Sequence, residues 1–435
     1  MKKVDEIIDF AKSSKLVFFY FAVITILMVY QHSMGWAWDF SVYSLNAQYL
    51  LHEQVYMEWK RPPLLPFILG LIQFFVSMRL AEYIAVLLIS ALFFYSVYRL
   101  SEKYEVKFNA LYILVASPGV VFFSVLQGTE LLFLSFLILA LSNLDRPIAG
   151  IWLGLAFLTH YTGGIFLILL FFQKDFKKIV KSGLLFGLTI LPWLLFSYYA
   201  LGHPIAGIAD SYALDVAERS LTTPFNPLDI FYITALAIPF ALYHLKDGKL
   251  ERMDYIMIFV FGLIVVRQLL TDMKITRYMF DLALPAGYLA ARGLENIDRE
   301  NLLTAIAVVY VILSVFAVAQ FTGNHVVNPH TFEEASEEIG YCQSVSDSWP
   351  YLSYAGTPTG PLEEQFKSEE DYLDEGVKIV EFEPGGYSAE GSNCVEEPFH
   401  STYIERLDEV HDVRICEYAP VNYCSIEDRV VELLN

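Results

Sequence analysis

Along residues 1–320 one pattern repeats: an apolar run, a short polar connection, then another apolar run. The runs lie at 16–32, 63–78, 80–98, 109–126, 130–144, 147–172, 183–200, 229–245, 255–271, 277–291 and 302–320. Windows of this length and apolarity, largely free of charge, are the signature of helices that cross a bilayer. The pattern predicts a polytopic α-helical membrane protein.

The polar positions decide the threading. Basic residues gather at Lys2, Lys3, Lys12 and Lys15, at Arg99, Lys103 and Lys107, and at Lys174, Lys177, Lys178 and Lys181. Further groups are Lys246, Lys249 and Arg252, then Arg292 and Arg299. The positive-inside rule places all of these in the cytoplasm. That requires the run 63–78 to lie at the outer surface as an interfacial helix. Pro62, Pro63 and Pro66 suit a helix start or bend and not a mid-span. It also requires 147–172 to fold as two short helices meeting at Thr159-His160-Tyr161-Thr162-Gly163-Gly164, where paired glycines favour a turn. Broken spans of this kind persist where they line a protein-walled or wet cavity. The outcome is about eleven transmembrane helices with outer interfacial helices and a cytoplasmic N-terminus. The first run reads as an uncleaved span, since no small-residue cleavage site follows it.

Charge separates a second part. The chain has 435 residues and a net charge of -20. Residues 1–320 hold 24 basic and 24 acidic side chains, whereas 321–435 hold 5 and 25. The expected domains are therefore a neutral membrane body, 1–320, and an acidic soluble domain, 321–435. So acidic a tail argues against nucleic acid as a partner. Its segments HTFEEASEEIGY and STYIERLDEV read as helices, and GVKIVEFEP and DVRICEYA as strands, giving a small α/β domain. All four cysteines, Cys342, Cys394, Cys416 and Cys424, lie there. No C-x-x-C pair occurs, so two disulfides on the extracytoplasmic side are favoured over reduced thiols or a zinc site. Four cysteines allow three pairings.

On this threading, polar residues converge on the outer face. The first outer loop carries Trp36, Trp38, Asp39, Tyr43, Glu58, Lys60 and Arg61. Gln127, Thr129 and Glu130 lie in a later turn, His160 and Tyr161 at the hairpin, and Lys274, Arg277 and Tyr278 after the ninth span. Plainer roles exist for most. The aromatics suit an interfacial belt, Lys60 and Arg61 suit lipid headgroups, and Glu130 suits a helix N-terminus. His160 suits a hydrogen-bonded turn. Asp39 is harder to absorb, because a carboxylate among tryptophans is costly unless paired or used.

The run WAWDFSVYSLNAQYLLHEQVYMEWKRPPLLPF resembles the first outer loop of membrane-embedded, GT-C type polyprenyl-phosphate-sugar glycosyltransferases, such as the protein O-mannosyltransferases and the lipid A aminoarabinose transferases. Asp39 fits that family's loop aspartate. Lys60-Arg61-Pro62-Pro63-Leu64 fits its Lys-Pro-Pro-Leu-like element, with Arg61 inserted. Gln127-Gly128-Thr129-Glu130 is similar to the family's outer acidic turn, GLAFLTHYTG to its hairpin, where lysine often stands at His160, and Arg277-Tyr278 to a basic-aromatic element. Phe40 stands where a second acid is frequent.

The resemblance implies an inverting transferase that moves a sugar from a polyprenyl (dolichyl-type) phosphate to an acceptor hydroxyl on a protein, glycan or lipid. It implies Asp39 as general base. Lys60, Arg61 and Arg277 would hold the phosphate, aided by His160, Tyr161 and Lys274, while Glu130 and Glu58 would contact substrate. No cofactor is required; a divalent cation is compatible with Asp39, Glu58 and Glu130. A multi-span transporter or flippase is the alternative, favoured by broken helices and by intramembrane Arg267 and Asp281, though no inverted repeat is evident.

Overall fold

The computed structural model describes residues 15–51, 57–126, 128–209, 211, 226–247, 249–270, 276–295, 297, 300–339, 344–346, 348–361, 378–381, 393–400 and 410–417. Its contacts divide the chain into two units: Met1–Gln31 with Trp59–Gln320, and His32–Glu58 with Phe321–Asn435. Residues 32–58, expected with the membrane body, thus group with the acidic C-terminal part.

In the first unit the helices follow the apolar runs. Helix α1 is Lys15–Ser33. In the second unit, α2 is Trp38–Leu50. The first unit continues with α3 (Leu64–Gln73), α4 (Met78–Tyr104), α5 (Phe108–Val115), α6 (Pro118–Phe123) and α7 (Glu130–Ser142). Next come α8 (Ala149–Thr159), a 3₁₀ segment (Tyr161–Phe172), α9 (Phe176–Leu201), α10 (Leu228–Thr234) and α11 (Ala237–Asp247). Helix α12 (Arg252–Leu270), a second 3₁₀ segment (Thr276–Leu282), α13 (Ala283–Glu295) and α14 (Glu300–Phe321) complete it.

Among the described residues, five helices are long and apolar enough to cross a membrane, or six if the pair α10–α11, bent by 93°, is one span. The expected eleven leaves out run 63–78 and counts 147–172 as two, and several of the remaining runs are broken. Ser117 caps α6 and Pro118 opens it, dividing run 109–126. Ala235, at φ 47°, divides run 229–245. Helix α7 is short, and every one of its residues is buried. A helix apolar all round belongs inside a larger body.

Two local expectations acquire a geometry. Helix α3 has 10 residues, against the ~20 needed to cross. Leu65 and Leu69 are buried, while Phe67, Leu71, Phe74 and Phe75 stay exposed, so one face packs on the body and an apolar face is left uncovered. The run 147–172 is a hairpin. Helix α8 ends at Thr159, His160 is extended at φ -154° and ψ 116°, and the 3₁₀ segment returns. A Cβ on Gly163 would sit 3.1 Å from the Ala156 carbonyl oxygen, so the returning chain lies against α8. Its two ends meet: Gln173 Nε2 donates to the Arg146 carbonyl at 3.4 Å, and Arg252 bonds both Asp145 Oδ1, at 3.0 Å, and the Phe172 carbonyl. Both ends therefore share one side. The 3₁₀ run of 12 residues far exceeds the usual three or four.

The second unit holds α2, α15 (Pro329–Ile339), α16 (Trp349–Ala355) and a five-stranded sheet ordered β2-β1-β3-β5-β4. The strands are β1 Ser344–Ser346, β2 Thr359–Pro361, β3 Lys378–Glu381, β4 Asn393–His400 and β5 Val410–Glu417. Strand β1 runs parallel to β2 and β3, and β5 antiparallel to β3 and β4. Helix α15 and strands β3 and β5 coincide with sequence expectations; the helix expected from Ser401 lies almost wholly outside the described residues. Cys394 stands directly opposite Cys416 in the β4–β5 register. Cys342 and Cys424 lie outside the described residues.

Candidate active site

In the first unit, six of the expected site residues are linked by side-chain contacts together with adjacency along the chain. Glu130 stands in the first turn of α7, after Gly128, whose φ of 100° lets the chain turn into the helix. A carboxylate there is favoured by the helix dipole. Its Oε1 lies 3.9 Å from Arg277 Nε, and the Arg277 guanidinium sits 5.4 Å from the Tyr278 ring centroid.

Arg277 is carried by the 3₁₀ segment Thr276–Leu282, which is fastened to α12 from behind. Arg267 forks onto Asp281, Nη1 to Oδ2 at 3.1 Å and Nη2 to Oδ1 at 3.2 Å, and also bonds the Tyr278 carbonyl. The two intramembrane charges that favoured a transporter thus answer one another. Sequence could name both residues but not their pairing.

His160 occupies the hairpin bend. Its Nδ1 is 2.7 Å from Thr162 Oγ1, and its ring is 5.8 Å from Phe133, one turn along α7 from Glu130. Tyr161 accepts a hydrogen bond at its hydroxyl from Trp193 Nε1, at 3.1 Å. Trp59 stacks on Trp193 and on Phe196, with centroids 5.8 and 5.5 Å away. Lys60 and Arg61, both half-buried, follow Trp59 directly. The backbone here is tightly seated: a Cβ on Gly207 would lie 2.2 Å from the Trp59 carbonyl oxygen. Sequence reasoning missed Trp59, Trp193, Phe196 and Gly207. A tryptophan immediately before Lys-Arg was the available signal.

In the second unit, Asp39 lies in the first turn of α2 and is buried at 8% exposure; Glu58 is buried at 7%. Asn46 holds the Glu58 backbone from both sides, donating to its carbonyl at 3.1 Å and accepting from its N–H at 2.9 Å. Phe40, where an acid was frequent in the resembled family, is buried with its ring 4.5 Å from that of His32. Lys274 and Gln127 lie outside the described residues. Among the described residues no group of three or more His, Cys, Asp or Glu is arranged to hold a metal ion.

Residues 62–271 match the model of glycosyltransferase family 87. No curated protein matches the chain. Among solved structures, ArnT from Cupriavidus metallidurans bound to undecaprenyl phosphate has a similar fold, with a TM-score of 0.67 at 11% identity. That match covers 94% of this chain and 99% of ArnT. ArnT in the apo state matches at a TM-score of 0.62 and 12% identity, over 93% of this chain and 98% of ArnT. The chain is a multi-pass membrane protein with an ArnT-like fold, and it resembles the membrane-embedded glycosyltransferases of the GT-C type.

Proposed function

We propose that the protein is an inverting glycosyltransferase that moves a sugar from a polyprenyl phosphate to an acceptor hydroxyl at the outer membrane face. The observation that carries this reading is the contact series from Trp59, beside Lys60 and Arg61, through Trp193, Tyr161, His160 and Phe133 to Glu130 and Arg277. Of these, Lys60, Arg61, Arg277, His160, Tyr161 and Glu130 are positions that the resemblance assigns to phosphate and substrate. The matched family region, 62–271, includes His160, Tyr161 and Glu130, and the similar ArnT carries undecaprenyl phosphate.

In this reading Asp39 accepts the proton of the acceptor hydroxyl. The freed oxygen forms a bond to the anomeric carbon, and the bond from that carbon to the phosphate oxygen breaks. The electron pair leaves with the polyprenyl phosphate, and the anomeric centre inverts. Lys60, Arg61 and Arg277 stabilise the charge that develops on the leaving phosphate. Glu130 orients Arg277, and His160 and Tyr161, with Lys274, shape the head-group end. A cation is not needed to balance this step. The N-terminus is cytoplasmic and the acidic domain extracytoplasmic, where its cysteines form disulfides.

Binding of undecaprenyl phosphate tests the phosphate site. Lys60→Ala/Arg61→Ala and Arg277→Ala should each weaken binding about tenfold or more, the scale of charge-assisted hydrogen bonds, while Asp39→Asn binds as the wild type does. Equal binding by all variants would remove these cations from the role. The transporter reading loses one of its supports, since Arg267 and Asp281 pair with each other.

A further inference from the structure

We infer that residues 326–339 and 348–355 form a clamp that sets the position of Asp39, with Tyr351 and Trp349 as its positioning residues. This rests on the reading of Asp39 as the general base.

The observations lie within the second unit. Three residues before Asp39, Trp36 forms a reciprocal antiparallel bridge with Val327: its N–H donates to the Val327 carbonyl at 3.1 Å and its carbonyl accepts from the Val327 N–H at 2.8 Å. The Trp36 ring packs edge-on to Tyr354, with centroids 4.8 Å apart. One residue before Asp39, the Trp38 ring stands perpendicular to Tyr351 at 5.5 Å and 88°. Three and six residues after Asp39, Val42 and Leu45 are fully buried in one cluster with Trp349. Trp38, Val42 and Leu45 recur at helical spacing, so one stripe of α2 rests on α16. Asp39 sits at the edge of that stripe.

The chain on both sides of Asp39 is therefore held by residues some 300 positions later in sequence. Tyr351 is itself anchored, with its ring 4.9 Å from Phe332 of α15. Neither α15 nor α16 needs to touch substrate to matter. A base displaced by about 1 Å can cost on the order of 100-fold in rate, and here the aromatic clamp is what opposes such a displacement.

The test uses the full-length protein and a radiolabelled polyprenyl-phosphate sugar. Tyr351→Ala should lower kcat about 100-fold with the donor KM nearly unchanged, because the phosphate contacts proposed above lie in the other unit. Tyr351→Phe, which keeps the ring, should restore most of the rate. In an Asp39→Asn background, Tyr351→Ala should add no further loss, since both act through one group. Should Tyr351→Ala fail to purify, Tyr351→Leu fills the volume without the perpendicular ring and is read in the same way. Wild-type kcat in Tyr351→Ala beside an inactive Asp39→Asn would remove the clamp alone. Full turnover by Asp39→Asn would remove the base, and the clamp with it.

Discussion

Arg277 Nε lies 3.9 Å from Glu130 Oε1, tying the segment after α12 to the first turn of α7. The pair presents a planar guanidinium in a fixed direction. Lysine offers a point charge on a flexible stem and cannot reproduce that fork. Arg277→Lys should therefore weaken donor binding almost as much as Arg277→Ala, by roughly ten- to a hundredfold. Glu130→Gln should produce a smaller loss. Titration of undecaprenyl phosphate against each variant checks this, and wild-type affinity in Arg277→Lys would contradict it.

The Arg267–Asp281 pair behaves differently. Both side chains are largely buried, at 15% and 3% exposure. Removing one partner strands a buried charge, which costs about 3–5 kcal/mol. Arg267→Met alone should thus lower thermal stability sharply, and Arg267→Met with Asp281→Leu should recover most of the loss. Thermal unfolding in detergent reads both. Equal melting of wild type and single variant would show that the pair does not hold the 3₁₀ segment.

Much of this arrangement was legible in the sequence. Charge counting at Lys103, Lys107 and Lys174–Lys181 required a break within 147–172 and a run 63–78 that does not cross. The chain does break at His160, and the helix Leu64–Gln73 has only 10 residues. The span count was not legible, because apolar runs report burial and not continuity: Pro118 and Ala235 break helices that hydropathy leaves whole. Partners distant in sequence were also hidden. Nothing local announces that Trp193 meets Trp59, that Arg267 meets Asp281, or that residues 32–58 fold with 321–435. The site candidates were found from a resemblance in the order of short motifs, which carries residue identities but no contacts.

Acid should loosen the side of the body where the hairpin ends meet. Burial raises the Asp145 carboxyl, but hydrogen bonding and charge from Arg252, joined by Lys103, outweigh it and hold the group below the usual carboxylate range. A folded value below the unfolded one, about 3.9, means stability that is complete above that pH and fades as pH falls through the folded value. Between about pH 6 and about pH 3, wild-type melting temperature should fall more steeply than that of Asp145→Asn, the difference opening below about pH 4. Parallel curves would contradict this.

The β4–β5 register also makes a prediction about the cysteines. Directly opposed antiparallel residues have Cα atoms about 4.5–5.5 Å apart, inside the range that disulfides span. Cys394 and Cys416 are so opposed, so peptide mapping without reductant should recover them linked, leaving Cys342 to pair with Cys424. Linkage of Cys394 to either of the others, or free thiols at all four, would overturn the pairing.

The central claim is sugar transfer from a lipid phosphate with Asp39 as base. One measurement tests it most directly: purified wild type and Asp39→Asn are incubated with a radiolabelled polyprenyl-phosphate hexose and an acceptor membrane fraction. Label should move to acceptor with the wild type and fall by about 10²–10⁴-fold in the variant, the worth of one general base. No transfer and no donor cleavage by the wild type across several donors, or equal transfer by both proteins, would contradict it.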